Sequence, residues 1–266
     1  MSVDFLVQRR WLVPCAAWLC YAFLLVPSLV IIPISFSASQ EFEFPPRSLS
    51  LHLYRTFFTD PSWWGATLQS IIVAIATTLL SLALTIPAAY ALARRRFPGS
   101  RLLHGAFLSP MLVPVVVLGL GLYLQFSAMR LVNSTLGTIL AHTMLVSPFV
   151  MLAASSALKH MDASLETAAQ IMGAERGMIF FRVVLPQLRT SMMIGALFAF
   201  LLSLDEVVIA YFITGPETIT LPVKMYSAIR WEMSPVLSAV STLLTMFALA
   251  VAFAIVMLQT KEIRHD

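Results

Sequence analysis

Asp205 and Glu206 are the only acidic residues inside any long apolar run of this 266-residue chain. A carboxylate held at hydrocarbon depth costs roughly several kcal/mol unless it is paired or faces water, so work on a solute is the first chemistry to consider. The other readings are a structural pair with another helix and a shorter span that ends near Leu204. Adjacent helical residues point about 100° apart, so the two acids serve different surroundings. Gly195, Ala199 and Ser203 recur every four residues and form a small-residue stripe suited to close helix packing. Glu206 projects near that stripe and is expected at a helix–helix contact, whereas Asp205 projects to one side, toward an aqueous pathway. Ser203, Asp205 and Glu206 are the candidate substrate-pathway residues.

Other chemistry is sparse. His52, His104, His142, His160 and His265 show no metal-ligand spacing, and His142 is expected to hydrogen-bond between helices. The two cysteines, Cys15 and Cys20, share the first apolar run, which suits thiols buried or facing lipid and no disulfide framework. Neither a metal site nor a catalytic nucleophile–base pair is indicated. No Gly-x4-Gly-Lys-Ser/Thr stretch occurs, so no phosphate-cradling loop is expected in this chain.

The elements that must position these residues follow from composition. The chain is 59% hydrophobic and 11% charged, with a mean hydropathy of +0.87, which points to lipid as the solvent. Apolar runs cover 11–36, 65–93, 102–126, 135–158, 190–213 and 236–258. Each reaches the ~20 residues that a hydrocarbon core of about 30 Å requires. The first run exceeds the apolar region of a cleaved signal peptide and is read as a retained anchor. The expected fold class is all-α, a polytopic membrane protein with six transmembrane helices in one domain over 1–266. Trp63 and Trp64 are expected at the headgroup level, and the stretch 37–62 as an outer loop with little helix.

Charge placement sets the sidedness. With the N-terminus inside, the inner segments hold Arg9, Arg10, Arg94, Arg95, Arg96, Arg101, Lys159, Arg176, Arg182, Arg189, Lys261 and Arg264. The outer segments hold Arg47, Arg55, Arg130, Lys224 and Arg230, so twelve of the 17 basic residues lie inside. Both termini are therefore expected in the cytoplasm. The net charge of +4 reflects this flanking pattern, and no nucleic-acid partner is implied.

The longest inner connection, 159–189, carries the most specific pattern. Asp162 or Ser164 can cap a helix, and Glu166 then complements the dipole in its first turn. Leu165, Ala168, Ala169 and Met172 form an apolar stripe at i, i+3, i+4 and i+7. Gly173 can end that helix in the left-handed conformation, and Leu185-Pro186 marks the approach to the fifth run.

The series Thr167-Ala-Ala-x3-Gly173-x9-Val183-x-Leu185-Pro186 resembles the loop motif of binding-protein-dependent (MetI-like) ABC importer permeases, Glu-Ala-Ala-x3-Gly-x9-Ile-x-Leu-Pro. The resemblance extends from the second run to the C-terminus and implies a type I importer permease fold. It also implies that Glu166, Thr167, Ala168, Ala169, Gly173, Leu185 and Pro186 belong to an ATPase-coupling loop. Thr167 stands where the motif has glutamate; Glu166, one position earlier, is rotated by about 100° and does not replace it.

Ser203-Leu-Asp-Glu-Val-Val, Thr214-Gly-Pro-Glu, Thr220-Leu-Pro-Val-Lys-Met-Tyr and Ser234-Pro235 resemble the spermidine/putrescine branch. The implied protein is a non-catalytic permease subunit for a small organic solute, polyamine-like or otherwise cationic, in a bacterial inner membrane. Its implied partners are two ATPase subunits that bind ATP-Mg, a second permease of different sequence, an extracytoplasmic solute-binding protein and membrane lipid. No cofactor is expected in the chain itself. The rival reading is a stand-alone secondary transporter or channel using the acidic pair.

Overall fold

The computed structural model describes residues 3–39, 41–95 and 97–263, with side chains described from 13 to 250 except at 24, 27, 28, 40 and 96. Arg96, Arg264 and His265 lie outside the described residues, as do the side chains of Arg9, Arg10 and Lys261. Among the described residues the regular structure is helical, apart from one antiparallel bridge between Ser37 and Leu49. The chain divides into two compact units, one formed by Met1–Trp64 with Ser227–Asp266 and the other by Gly65–Tyr226.

In the first unit, α1 (Val3–Ser35) packs against α13 (Val236–Ile263), and α2 (His52–Thr59) also packs on α13. The helix α2 interrupts the segment expected to be mostly loop. Leu53 and Phe57, one turn apart, form its buried face, and the Tyr54 hydroxyl lies 2.7 Å from Ser35 Oγ. Cys15 and Cys20 are exposed on α1 together with Trp18, Leu19 and Phe23, so this is an outward apolar face. Trp64 is 43% exposed, as an interfacial ring should be, but Trp63 is only 3% exposed and belongs to the packed interior.

In the second unit, α3 (Pro61–Arg94) and α6 (Thr135–His160) are continuous, and each is apolar and long enough to cross a bilayer. The run 102–126 is not one helix. It forms α4 (Ser100–Leu108), a 3-10 turn (Ser109–Met111) and α5 (Val115–Ala128), with a bend of 110° between the two arms. Pro114 is extended (φ −53°, ψ 131°) and begins α5; it has no amide to donate, and its ring disfavours helix in Val113 before it.

The fifth run is broken as well. A helical stretch over Arg176–Gln187 turns by 74° into α10 (Arg189–Leu204), and the helix resumes as α11 (Val208–Ile213) after a three-residue break. Among the described residues two helices span by length and composition, or four if each bent pair counts once. With 33 and 28 residues, or ~50 and ~42 Å at roughly 1.5 Å per residue, α1 and α13 are each longer than a hydrocarbon core of about 30 Å.

Lipid tails are as apolar as the side chains, so close packing and polar contacts must hold these helices together. A Cβ added at Gly195 of α10 would sit 3.7 Å from Ala153 Cβ of α6, and Ala199 is fully buried. Val150, Met151, Ala154 and Leu158 of α6 join Ile86 and Ala89 of α3 and Ala199 in one cluster. A second cluster unites Leu122 and Phe126 of α5, Ala141 of α6, and Ile209 and Ile213 of α11. Gln69 Nε2 donates to Thr135 Oγ1 at 2.9 Å, tying α3 to the first residue of α6.

Candidate functional site

The loop after α6 folds as the helix α7 (Ser164–Ile171) followed by the short helix α8 (Arg176–Ile179). A π-helical turn (Phe180–Val184) and α9 (Leu185–Gln187) then lead to α10. Asp162 prepares the start of α7. Its Oδ1 accepts the Ser164 amide at 2.8 Å and its Oδ2 the Ser164 hydroxyl at 2.7 Å. These bonds, the amide first, hold the Asp162 carboxyl below its usual range because they favour the ionised form.

Gly173 ends α7 as the sequence suggests. Its φ is +85°, its amide donates to Gln170 O at 2.9 Å, and the Ala174 amide donates to Ala169 O at 3.0 Å. The pair of bonds is a Schellman closure with glycine at the left-handed position. Further along, Leu185 is partly buried while Pro186 is exposed, just before the chain turns into α10.

The faces of α7 are arranged differently from its apolar pattern. Of the stripe, only Ala169 is buried; Leu165 is 50% and Met172 81% exposed, and Ala168 is exposed. The inward position is taken by Glu166, which is 5% exposed. Arg94 Nε donates to its Oε1 at 2.8 Å and the Tyr90 hydroxyl to its Oε2 at 2.9 Å. Glu166 is therefore not part of the accessible surface of the loop. That surface presents Leu165, Thr167, Ala168, Ile171, Met172 and Phe181, and Thr167 Oγ1 is bonded back to Ala163 O at 3.1 Å.

At the break between α10 and α11, the three pathway candidates separate into two groups. Ser203 and Glu206 are buried and meet His142 of α6, whose Nδ1 lies 2.8 Å from Ser203 Oγ and whose Nε2 lies 3.6 Å from Glu206 Oε2. The expected interhelical bond of His142 is thus present, with Ser203 as its partner. Glu206 accepts the amides of Ile209 (2.9 Å) and Ala210 (2.8 Å), which in an unbroken helix would bond to the carbonyls of Asp205 and Glu206. It caps α11 where its dipole favours a negative group. Asp205 points elsewhere: it is exposed and has no side-chain hydrogen bond or ion pair among the described residues.

Sequence reasoning missed Tyr90 and Arg94 as members of the loop. Arg94 was legible only as one of the basic residues flanking a span, and Tyr90 not at all. Their spacing of four residues at the end of α3 places both on one helix face, which is the signal that was available.

Residues 81–263 match the family described as binding-protein-dependent transport system inner membrane component. The chain is 32% identical over 231 residues to the putrescine transport system permease protein PotI of Escherichia coli (strain K12), spanning 84% of this chain and 82% of that protein. It is 28% identical over 234 residues, 88% of each chain, to the spermidine/putrescine transport system permease protein PotC of the same organism. In fold it is similar to a chain of a bacterial ABC transporter involved in the import of the acidic polysaccharide alginate, with a TM-score of 0.73, 17% identity and 98% of both chains covered. A second such structure, with TM-score 0.68 and 14% identity over 97% of this chain and 96% of that one, holds the alginate transporter with a periplasmic protein carrying an alginate pentasaccharide. A helical, multi-pass architecture, a motif-spaced loop and these relatives together place the chain in the inner membrane component family of binding-protein-dependent transport systems, as a permease subunit of an ABC importer.

Proposed function

We propose that this permease carries a small organic cation of the polyamine class inward, with both termini in the cytoplasm, and that Asp205 lines its pathway. The observation that carries this reading is the unpaired, exposed carboxylate of Asp205 at the interruption of the fifth span. A charge so placed requires water, a cation or a partner subunit around it. The polyamine transport permeases PotI and PotC, similar over most of the chain, support a cationic solute. An extracytoplasmic binding protein delivers the solute, and a second, different permease completes the pathway.

ATP-Mg binds two partner ATPase subunits, and hydrolysis takes place there. The 159–189 loop, with Thr167, Ala168, Ala169, Gly173, Leu185 and Pro186, is the docking element. In support, it exposes apolar side chains such as Ile171 (82%) and Met172 (81%) on a segment that also carries basic residues. Contiguous apolar exposure next to polar residues marks an interaction surface for protein or membrane, and the motif spacing of the loop favours a protein partner.

Asp205→Asn keeps the side-chain volume and removes the charge. In proteoliposomes holding the whole transporter, the rate of spermidine or putrescine uptake is expected to fall at least about tenfold, equivalent to about 1.4 kcal/mol, with subunit assembly unchanged. A full rate in Asp205→Asn removes this residue from the pathway. Absence of uptake of either amine by the wild-type transporter, with ATP hydrolysis intact, overturns the substrate class.

A further inference from the structure

The buried side of α7 points to a role for Glu166 that docking does not use. We propose that Glu166 is a positioning residue, whose carboxylate fastens α7 to the end of α3 so that a displacement of α7 is delivered to the second span. The proposal rests on the reading that an ATPase docks on this loop.

Three observations carry it. First, Glu166 is 5% exposed, so its carboxylate is unavailable to a partner on the surface of the loop. Second, its two oxygens are held by two side chains of α3 one turn apart, Arg94 Nε at 2.8 Å and the Tyr90 hydroxyl at 2.9 Å. Two directional bonds to one carboxylate fix rotation as well as distance, whereas the apolar contacts of Ala169 beside them are non-directional. Third, the Tyr90 ring packs on Phe180 of the π-helical turn, with centroids 5.3 Å apart, so the same end of α3 also touches the second half of the loop. Between the two halves stands Gly173, a turn with φ +85° and nothing within 4 Å of where a Cβ would be. Two segments joined at such a turn can move independently unless something ties both to one element. Here that element is the last two turns of α3.

The pair is also poorly replaceable. Arg94 Nη2 is buried and has no hydrogen-bond partner among the described residues, so Glu166 is the counter-charge that holds the guanidinium in place. Neutralising Glu166 should therefore free the end of α3 from α7 without altering the exposed docking face.

The test uses the assembled transporter with its ATPase, second permease and binding protein. Cys15 and Cys20 are replaced by alanine, and spin labels are placed at Leu79, roughly 22 Å along α3 from Arg94 at ~1.5 Å per residue, and at Gln170 on α7. Both positions are exposed. Distances are compared between nucleotide-free and ATP–vanadate states, which needs no knowledge of the solute. With Glu166 intact the label distance is expected to stay the same in both states. In Glu166→Gln the ATPase is expected to co-purify at unchanged stoichiometry and to hydrolyse ATP within about twofold of wild type, while the distance distribution broadens about twofold or shifts between states. An unchanged, single distance in Glu166→Gln overturns the proposal, and so does loss of the ATPase from that variant, which would make Glu166 a docking residue. If Glu166→Gln yields no folded protein, Tyr90→Phe decides. It removes only the bond to Oε2 and keeps the ring on Phe180, so a broadened distribution supports the tether and an unchanged one overturns it. A wild-type transporter that purifies without any ATPase defeats the docking reading itself, independently of the variants.

Discussion

Glu206→Ala is expected to lower the thermal stability and the yield of the purified transporter sharply. The substitution leaves the buried amides of Ile209 and Ala210 without acceptors at the start of α11. An unsatisfied buried amide costs roughly 1–3 kcal/mol, and no water in the hydrocarbon region is available to relieve it. It also removes the carboxylate 3.6 Å from His142 Nε2, an atom with no hydrogen-bond partner among the described residues. Glu206→Gln retains one acceptor oxygen and is expected to fall between wild type and alanine. The measurement is the melting temperature of the detergent-solubilised complex, read beside uptake. A variant of wild-type stability with lost uptake would return Glu206 to the solute pathway and remove its structural role.

Gly173→Val has the second-largest expected effect, and its cause is purely conformational. There is nothing within 4 Å of a Cβ built at this position, so no clash opposes the side chain. What opposes it is φ +85°, a region that costs an L-residue roughly 1–2 kcal/mol and a β-branched one more. Recovering an ordinary backbone would break the bonds from Gly173 to Gln170 O and from Ala174 to Ala169 O, and so redirect the chain after α7. The amount of ATPase co-purifying is expected to drop about tenfold or more, with membrane insertion intact. Gly173→Asn is the control, since asparagine tolerates the left-handed conformation and should retain most of the assembly. Unimpaired assembly and coupling in Gly173→Val would place the functional turn elsewhere.

Both predictions depend on features that differ in how readily the sequence reveals them. Gly173 was legible because a helix end needs a residue at positive φ, and a glycine after an eight-residue pattern supplies it. Asp162 was legible as a helix-start residue, although the N-cap itself is Ala163, which makes no side-chain capping bond, and Asp162 instead accepts the Ser164 amide. The break at Asp205–Val207 was legible only as the alternative of a span ending near Leu204, because no proline or glycine marks it. It is held open by Glu206 accepting amides three and four residues ahead, which an apolar-run count cannot detect. Pro114 was visible, yet proline inside a membrane helix commonly bends it mildly, so a 110° turn did not follow from composition.

The inner face of α7 is the clearest case. Apolar residues at helical spacing suggest a face turned to the interior, but here Leu165 and Met172 face outward and Glu166 faces in. The inversion needs Arg94, 72 positions earlier in the chain, and a pairing of that separation is not readable from one sequence. Arg94 served the reading only as a marker of sidedness, although its place in the last turn of α3 made it available for a second task. The outward apolar surface is then the one left for a partner.

ATP dependence of uptake tests the central claim most directly. The purified permease pair, its co-purifying ATPase and the binding protein are reconstituted into vesicles, and labelled spermidine or putrescine is supplied with the binding protein. Uptake is expected to require both ATP on the loop side and the binding protein on the opposite side, and to persist when ion gradients are collapsed. Uptake driven by an ion gradient alone, without ATP or binding protein, would contradict an ATP-driven permease and favour a stand-alone transporter.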